Sequence, residues 1–240
     1  MNKNAKLIFP FYKKLYDLIN TNQYIQDKTG TKVVEILLPK IILSPNEYYI
    51  DFSTRKSPRK YIEKETNWYN SHSLNIEQVK DVTIWNNVSD ENNEINSNYG
   101  NLVYSRNNYS QFTHAFNSLI KNVGSRQAII IYTRPSIHYE WNGLDASDFI
   151  CTNYNQFFIR NNRLITITNM RSNDCWTGTF SDIPWFHKVI NNMFIKLKEV
   201  YPNLELGDHI FMPNSFHCYE KNFDKLIELV DNTKLELHND

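Results

Sequence analysis

DFICTNYNQFFIRNNRLITIT, residues 148–168, decides the fold class. Apolar and polar positions alternate on both sides of Asn161-Asn162, a pair that readily takes a turn, so the segment reads as two half-buried strands. Working outward, Ala128 to Tyr132 is a buried strand preceded by a helix over Ser110 to Val123. Downstream, Ile183 to Val200 has apolar positions at helical spacing with Pro184 expected in the first turn. His209 to Tyr219 returns to strand, and Phe223 to Val230 closes with a short helix. Toward the N-terminus, a helix through Phe11, Leu15 and Leu18 precedes a strand from Val33 to Leu43 and a helix from Tyr61 to Ser71. The asparagine-rich stretch Asn86 to Asn98 reads as a long loop, of the kind that is often functional. No linker-like cluster of Pro and Gly interrupts the chain. The expectation is one α+β domain over residues 1–240, a mixed sheet with flanking helices.

Composition bounds the function. With 41% hydrophobic and 14% aromatic residues, the 240-residue chain can bury one sizeable core. Lysine plus arginine equal aspartate plus glutamate at 26 each, so no overall field favours duplex nucleic acid or a membrane surface, and an anionic ligand needs a local basic cluster. Cys151, Cys175 and Cys218 form no CxxC pair and are odd in number, which points to free thiols and a reducing cytoplasm. Neither a secretory signal nor a long apolar span is legible, and no metal-ligand spacing is present.

Single residues leave the chemistry open. Cys151 in an alternating strand is, taken alone, more often an inert packing thiol than a nucleophile. Arg171 and Ser172 in NMRSND suit an anion, because the guanidinium fork and the hydroxyl all donate; a surface salt bridge would use the same residues. His217 and Tyr219 in SFHCYEKNF read as ligand contacts or as packing residues.

The order of the segments narrows these choices. DKTG (Asp27 to Gly30), DVTIW (Asp81 to Trp85), NYG (Asn98 to Gly100), SRQ (Ser125 to Gln127), the Cys151 strand with Gln156-Phe157, RSND (Arg171 to Asp174) followed by Gly178, and the His217/Tyr219 pair follow one another along nearly the whole chain. This series resembles the thymidylate synthase superfamily. Within it EINSNYG, IYTRPS, SDFICTN and NMRSND are similar to the deoxycytidylate hydroxymethylase branch of T-even phage type. Thr152 follows the cysteine where synthases have histidine, and Asp182 stands where they have asparagine. The latter difference has a physical meaning. Uracil offers a donor at ring nitrogen 3 and an acceptor at oxygen 4, which one amide satisfies. An aspartate instead accepts from the cytosine amine and from a proton on nitrogen 3, and that proton draws electrons from carbon 6. On its own, Asp182 also reads as a helix N-cap ahead of Pro184.

The resemblance implies a folate-dependent hydroxymethyl transfer. Cys151 would add to carbon 6 of deoxycytidylate (dCMP), and carbon 5 would take the one-carbon unit of 5,10-methylenetetrahydrofolate. Glu65 would handle protons, Asp182 would read the base, and Tyr99 would belong to the hydrogen bonds around the cysteine. Lys28, Arg126, Arg171 and Ser172 would hold the nucleotide phosphate, His217 and Tyr219 the sugar, and Trp85 and Asp174 the folate. The implied assembly is a homodimer with sheets packed back to back, Arg126 serving the neighbouring site, with a further complex among nucleotide-synthesis enzymes and, for a virus-encoded chain, the host cytoplasm as location. Only 21 residues follow Tyr219, ending in KLELHND, which favours a wet pocket and hydration of the intermediate. Three departures stand out: Gln127 replaces a second arginine, Ser215 replaces an aspartate, and Val88 a second tryptophan. Alternatives are other superfamily chemistries, namely thymidylate synthase, a deoxyuridylate or cytidylate hydroxymethylase, or a deoxycytidylate methylase. A non-catalytic nucleotide- or RNA-binding protein on the same scaffold is the alternative from another class.

Overall fold

A computed structural model of the chain describes residues 1–27, 29–143 and 148–239. Its elements run α1 (Lys3–Asn20), β1 (Ile25–Gln26), β2 (Lys32–Leu37), β3 (Ile41–Leu43), α2 (Arg59–Ser71), α3 (Thr83–Val88), α4 (Tyr99–Tyr104), α5 (Gln111–Lys121), β4 (Ile129–Ile131), α6 (Ile137–Gly143), β5 (Thr152–Arg160), β6 (Arg163–Met170), β7 (Asn173–Asp174), α7 (Gly178–Val200), β8 (Glu205–Pro213), β9 (Ser215–Tyr219) and α8 (Phe223–Asn239).

β5 and β6 form the expected antiparallel pair around Asn161-Asn162, both of which take positive φ. They sit in a five-stranded sheet of order β3-β8-β6-β5-β4, in which β6 and β8 run parallel. A second sheet has the order β1-β2-β9-β7. The two expected long strands, Val33 to Leu43 and His209 to Tyr219, are therefore each two strands. β2 and β9 pair in one sheet, β3 and β8 in the other. The break falls at one level in both, at Leu38 (φ 50°) and Asn214. Leu38 N donates to Asn214 O at 3.0 Å, and Asn214 N donates to Met170 O at 2.7 Å, so the backbone groups freed by the bend satisfy one another. This crease positions the site.

Helices cover the inner face. α1 is capped by Asn2, whose side chain accepts from Ala5 N, and buries Ala5, Ile8, Tyr12 and Leu15. α7 begins at Gly178, five residues before the expected start, so Pro184 lies in the helix interior and Asp182 is not an N-cap; the capping position is Thr177, without a side-chain cap bond. Ile183, Phe186, Ile190, Met193 and Leu197 are all fully buried, which offsets the bond lost at Pro184. α8 continues past Val230 to Asn239 and packs on α1.

The core also encloses a one-way chain of hydrogen bonds. Tyr132 donates to Asn155, Asn155 to Thr168, Thr168 to His209 Nε2, His209 Nδ1 to His187 Nε2 at 3.1 Å, and His187 Nδ1 to Glu47 O at 2.9 Å. The carbonyl at the end sets the direction, since it can only accept. Burial lowers both imidazole pKa values, His187 to about 4, so both rings are neutral and each of their nitrogens has a partner in this series of bonds.

The outer face of the five-stranded sheet is apolar in cross-strand rows. Ile42, Ile210, Ile167, Gln156 and Ile129 form one row, and Phe158 with Ile165 another. Ile42 and Ile131 at the sheet's edges are 45% and 48% exposed. Among the described residues no helix is long and apolar enough to cross a membrane.

Candidate active site

Cys151 immediately precedes β5 at the crease, beside a register shift between Thr152 and Tyr154. Such a bulge re-aims the side chains next to it. Arg171 follows β6 and is tied to the same point: its N donates to Cys151 O at 2.8 Å, and its Nη2 lies 3.3 Å from Cys151 Sγ. The guanidinium is anchored by Phe149 O, Ile150 O and Ser172 Oγ. Cys151 is half-buried. Burial raises its pKa, with Asp182 and Asp148 acting in the same direction, while Arg171 and Ser172 oppose them. The group is a thiol held beside a cation that favours its ionised form.

Asp182 faces this thiol from α7, with Glu65 of α2 close enough to act on Asp182. Asp182 keeps part of its surface exposed yet lies deep among protein atoms, on α7. Its Oδ2 accepts from Asn173 Nδ2 at 2.8 Å, and Asn173 is fixed in turn by Thr179 Oγ1. Burial, then the charges of Glu65 and Asp174, push its pKa well above its ordinary value. Glu65, 5% exposed on α2, accepts from Tyr61 and is also bonded by Tyr69; burial raises its pKa to about 7. The α2–α4 contact that brings these groups together depends on Gly100. A Cβ there would lie 1.8 Å from Tyr69 O. Tyr99, next to it, stacks on Tyr69 with centroids 5.5 Å apart, and its hydroxyl accepts from Thr152 Oγ1 at 2.9 Å, one residue from the cysteine.

The second sheet supplies the opposite wall. Asp174 on β7 is the register partner of His217 on β9, and Tyr219 packs edge-on to His217 with centroids 5.0 Å apart. Asp174 accepts from Trp176 N and Thr177 Oγ1. Burial raises the Tyr219 pKa, and Asp174, Asp27 and Cys151 add to it, which places the Asp27 loop at the same cleft. Asp27 Oδ1 accepts from Thr29 N and Thr31 N, and Gly30 takes φ 81°, the left-handed conformation this tight loop requires. Lys28 lies outside the described residues.

Cys151, Arg171, Ser172, Asp182, Glu65, Tyr99, Asp174, His217 and Tyr219 thus converge. Trp85 stands further out, half-buried against Trp68 with centroids 5.3 Å apart. Arg126 does not join them. It precedes β4, and the Phe157 N to Ala128 O bond puts it level with Ile159, at the other end of β5. Eight residues at about 3.3 Å each separate that level from Cys151 by roughly 25 Å. There Arg126 and Arg160 line a cavity of about 530 Å³.

Sequence reasoning gave no role to Asp148, Asn173 or Tyr61. Asp148 is buried and accepts from both Ser97 N and Ser97 Oγ, which staples the long loop to the cysteine strand. Asn173 and Asp148 lie inside RSND and SDFICTN, so the motif signal was present; Asn173 acts on Asp182 nine residues on, and Asp148 on Ser97, 51 residues away.

Compared with known families, residues 10–239 match the family model described as thymidylate synthase. The chain belongs to the thymidylate synthase family. It is thereby a folate-dependent one-carbon transferase of pyrimidine nucleotides, in a family whose members use methylenetetrahydrofolate. Within the thymidylate synthase family, the proteins called deoxycytidylate 5-hydroxymethyltransferase from Enterobacteria phages T6, T4 and T2 are each 34% identical over 209 residues, covering 85% of this chain and 83% of theirs.

Proposed function

We propose that the protein is a deoxycytidylate 5-hydroxymethyltransferase. The observation that carries this reading is Asp182, held by Asn173 in the cleft beside Cys151, where burial and the charge of Glu65 raise its pKa and favour the protonated form. A neutral carboxyl presents an O–H donor and a carbonyl acceptor, which complements the ring nitrogen 3 and exocyclic amine of cytosine. An asparagine could offer the same pattern but has no proton to give. Asp182 can pass its proton to nitrogen 3, which withdraws electrons from carbon 6, where Cys151 adds. Arg171 stabilises the sulfur charge during that addition and, with Ser172, faces the nucleotide phosphate.

The residues present fit a folate. Arg55 is held between Trp176 and Phe180 at 5.0 and 4.8 Å from their ring centroids, and its buried Nε has no partner among the described residues. An acceptor on the ligand would satisfy it. Trp85 and Asp174 border the same side in this reading. When bound, methylenetetrahydrofolate supplies a one-carbon unit at the oxidation level of formaldehyde. Glu65, with a pKa of about 7, exchanges protons near neutrality and orders the water that becomes the new hydroxyl.

The apolar outer face of the five-stranded sheet supports a homodimer. A twofold operation stacking these faces would carry each exposed Arg126 toward the neighbouring cleft. The test incubates protein and methylenetetrahydrofolate with deoxycytidylate, deoxyuridylate and cytidylate in turn, and identifies products by mass. Deoxycytidylate should gain one CH2O unit, and Cys151→Ala should yield none. A methylated product, or turnover of deoxyuridylate in preference, would assign another chemistry of the family; no product from any nucleotide would sink the enzyme reading.

A further inference from the structure

The wall formed by β2 and β9 carries a carboxylate to which the reaction above gives no task. Glu35 stands directly across from His217 in the β2–β9 register. Its Oε2 accepts from Ser215 Oγ at 2.7 Å, and Ser215 Oγ lies 3.3 Å from His217 Nδ1. A carboxylate only accepts, so the one hydroxyl proton of Ser215 is committed to Glu35, and the serine oxygen must receive from the ring. Nδ1 therefore carries hydrogen and Nε2 keeps a free lone pair. Burial lowers the His217 pKa, which keeps the ring neutral and makes its tautomer decisive. Ser215 is also the position where the family resemblance expects an aspartate. The carboxylate is supplied here from the opposite strand, with the serine as intermediary.

We infer that Glu35, acting through Ser215, is a positioning residue that holds His217 as the Nδ1–H tautomer, so that Nε2 accepts from the sugar hydroxyl of the bound nucleotide. This rests on the nucleotide reading of the preceding subsection. Deoxycytidylate has a single free sugar hydroxyl, on carbon 3′. It donates to His217 Nε2 and accepts from Tyr219, whose ring is edge-on to His217. Without the relay, the Ser215 backbone carbonyl is the ring's remaining partner, the Nδ1–H tautomer is held less firmly, and Nε2 is a less constant acceptor.

Two readouts test this. Nitrogen-15 NMR of labelled histidines reports the His217 tautomer, and calorimetry compares deoxycytidylate with 2′,3′-dideoxycytidine monophosphate. In the unmodified protein His217 should be Nδ1-protonated, and deoxycytidylate should bind about tenfold tighter, the worth of one good hydrogen bond. Glu35→Ala and Ser215→Ala should mix the tautomers and reduce the ratio to about threefold or less. Glu35→Gln, whose amide oxygen still accepts, should stay close to the unmodified protein. The double variant Glu35→Ser with Ser215→Asp, which places a carboxylate directly beside Nδ1, should recover both readouts. If deoxycytidylate binds and the alanine variants keep both tautomer and ratio, the relay is refuted while the nucleotide reading stands. If the unmodified protein binds neither nucleotide, both fall together.

Discussion

Glu65→Gln should make the protein more stable at alkaline pH and less active. Folding moves this carboxyl from its ordinary pKa of 4.5 to about 7, chiefly by burial. An acid raised in this way costs stability when ionised. The cost is fully present above about pH 7, shrinks as the pH falls through the folded pKa, and vanishes below the unfolded value. A rise of that size corresponds to about 3 kcal/mol at the alkaline limit. Glutamine keeps an acceptor for Tyr61 but never ionises. Urea unfolding of both proteins, followed through the buried Trp68 and Trp185, should show the stability difference shifting in favour of the variant by about 2 to 3 kcal/mol between pH 5 and pH 8. Other titrating groups are common to both proteins and cancel, except Asp182, whose repulsion by ionised Glu65 acts with the same sign. Product formation should fall while nucleotide affinity holds. A stability difference independent of pH would refute the buried, titrating carboxylate.

The remaining expectations concern the base, the interface and the core. Asp182→Asn should shift the ratio of kcat/KM values from deoxycytidylate toward deoxyuridylate, and an unchanged ratio would remove Asp182 as base reader. Inactive Cys151→Ala and Arg126→Ala chains, mixed and allowed to exchange, should regain about a quarter of full activity through hybrid dimers with one intact site; hybrids verified by native mass spectrometry that stay inactive would confine Arg126 to its own chain. Relative to a His187→Gln variant, in which the raised carboxyl of Asp182 titrates alike and cancels, stability should decline by up to about 3 kcal/mol as pH falls from 6.5 to 4, because folded His187 resists a proton that the unfolded chain accepts. A flat profile over that range would place a charged imidazole in the core.

The β5–β6 pair was legible because alternation and an Asn-Asn turn are local signals. The crease was not. Val33 to Leu43 is apolar on both sides of Leu38, so periodicity cannot show where the strand changes partner; Pro39 and Pro213 beside the breaks were the available hints. α4 escaped notice because six residues are too few to show a helical period. Pro184 marks the start of α7 five residues too late because proline usually sits in a first turn, whereas here it lies in the helix interior. Cys151, Arg171 and Asp182 could be picked out as candidates through motif order. Glu35 and Asp148 have no local signal of their role because each acts on a partner, Ser215 or Ser97, brought near only by folding.

The pairing of β2 with β9 has a consequence for how the molecule is made. Ser215 and Glu35 are 180 positions apart, so the wall that carries His217 closes one of the longest loops in the chain. During synthesis β2 emerges well before its neighbour and waits until about 180 further residues have been made. Its backbone edge, with Leu37 68% exposed even in the finished fold, stays open to strangers throughout that wait. Slow folding steps and losses to aggregation are expected to trace to this strand, and the cleft is among the last features to form.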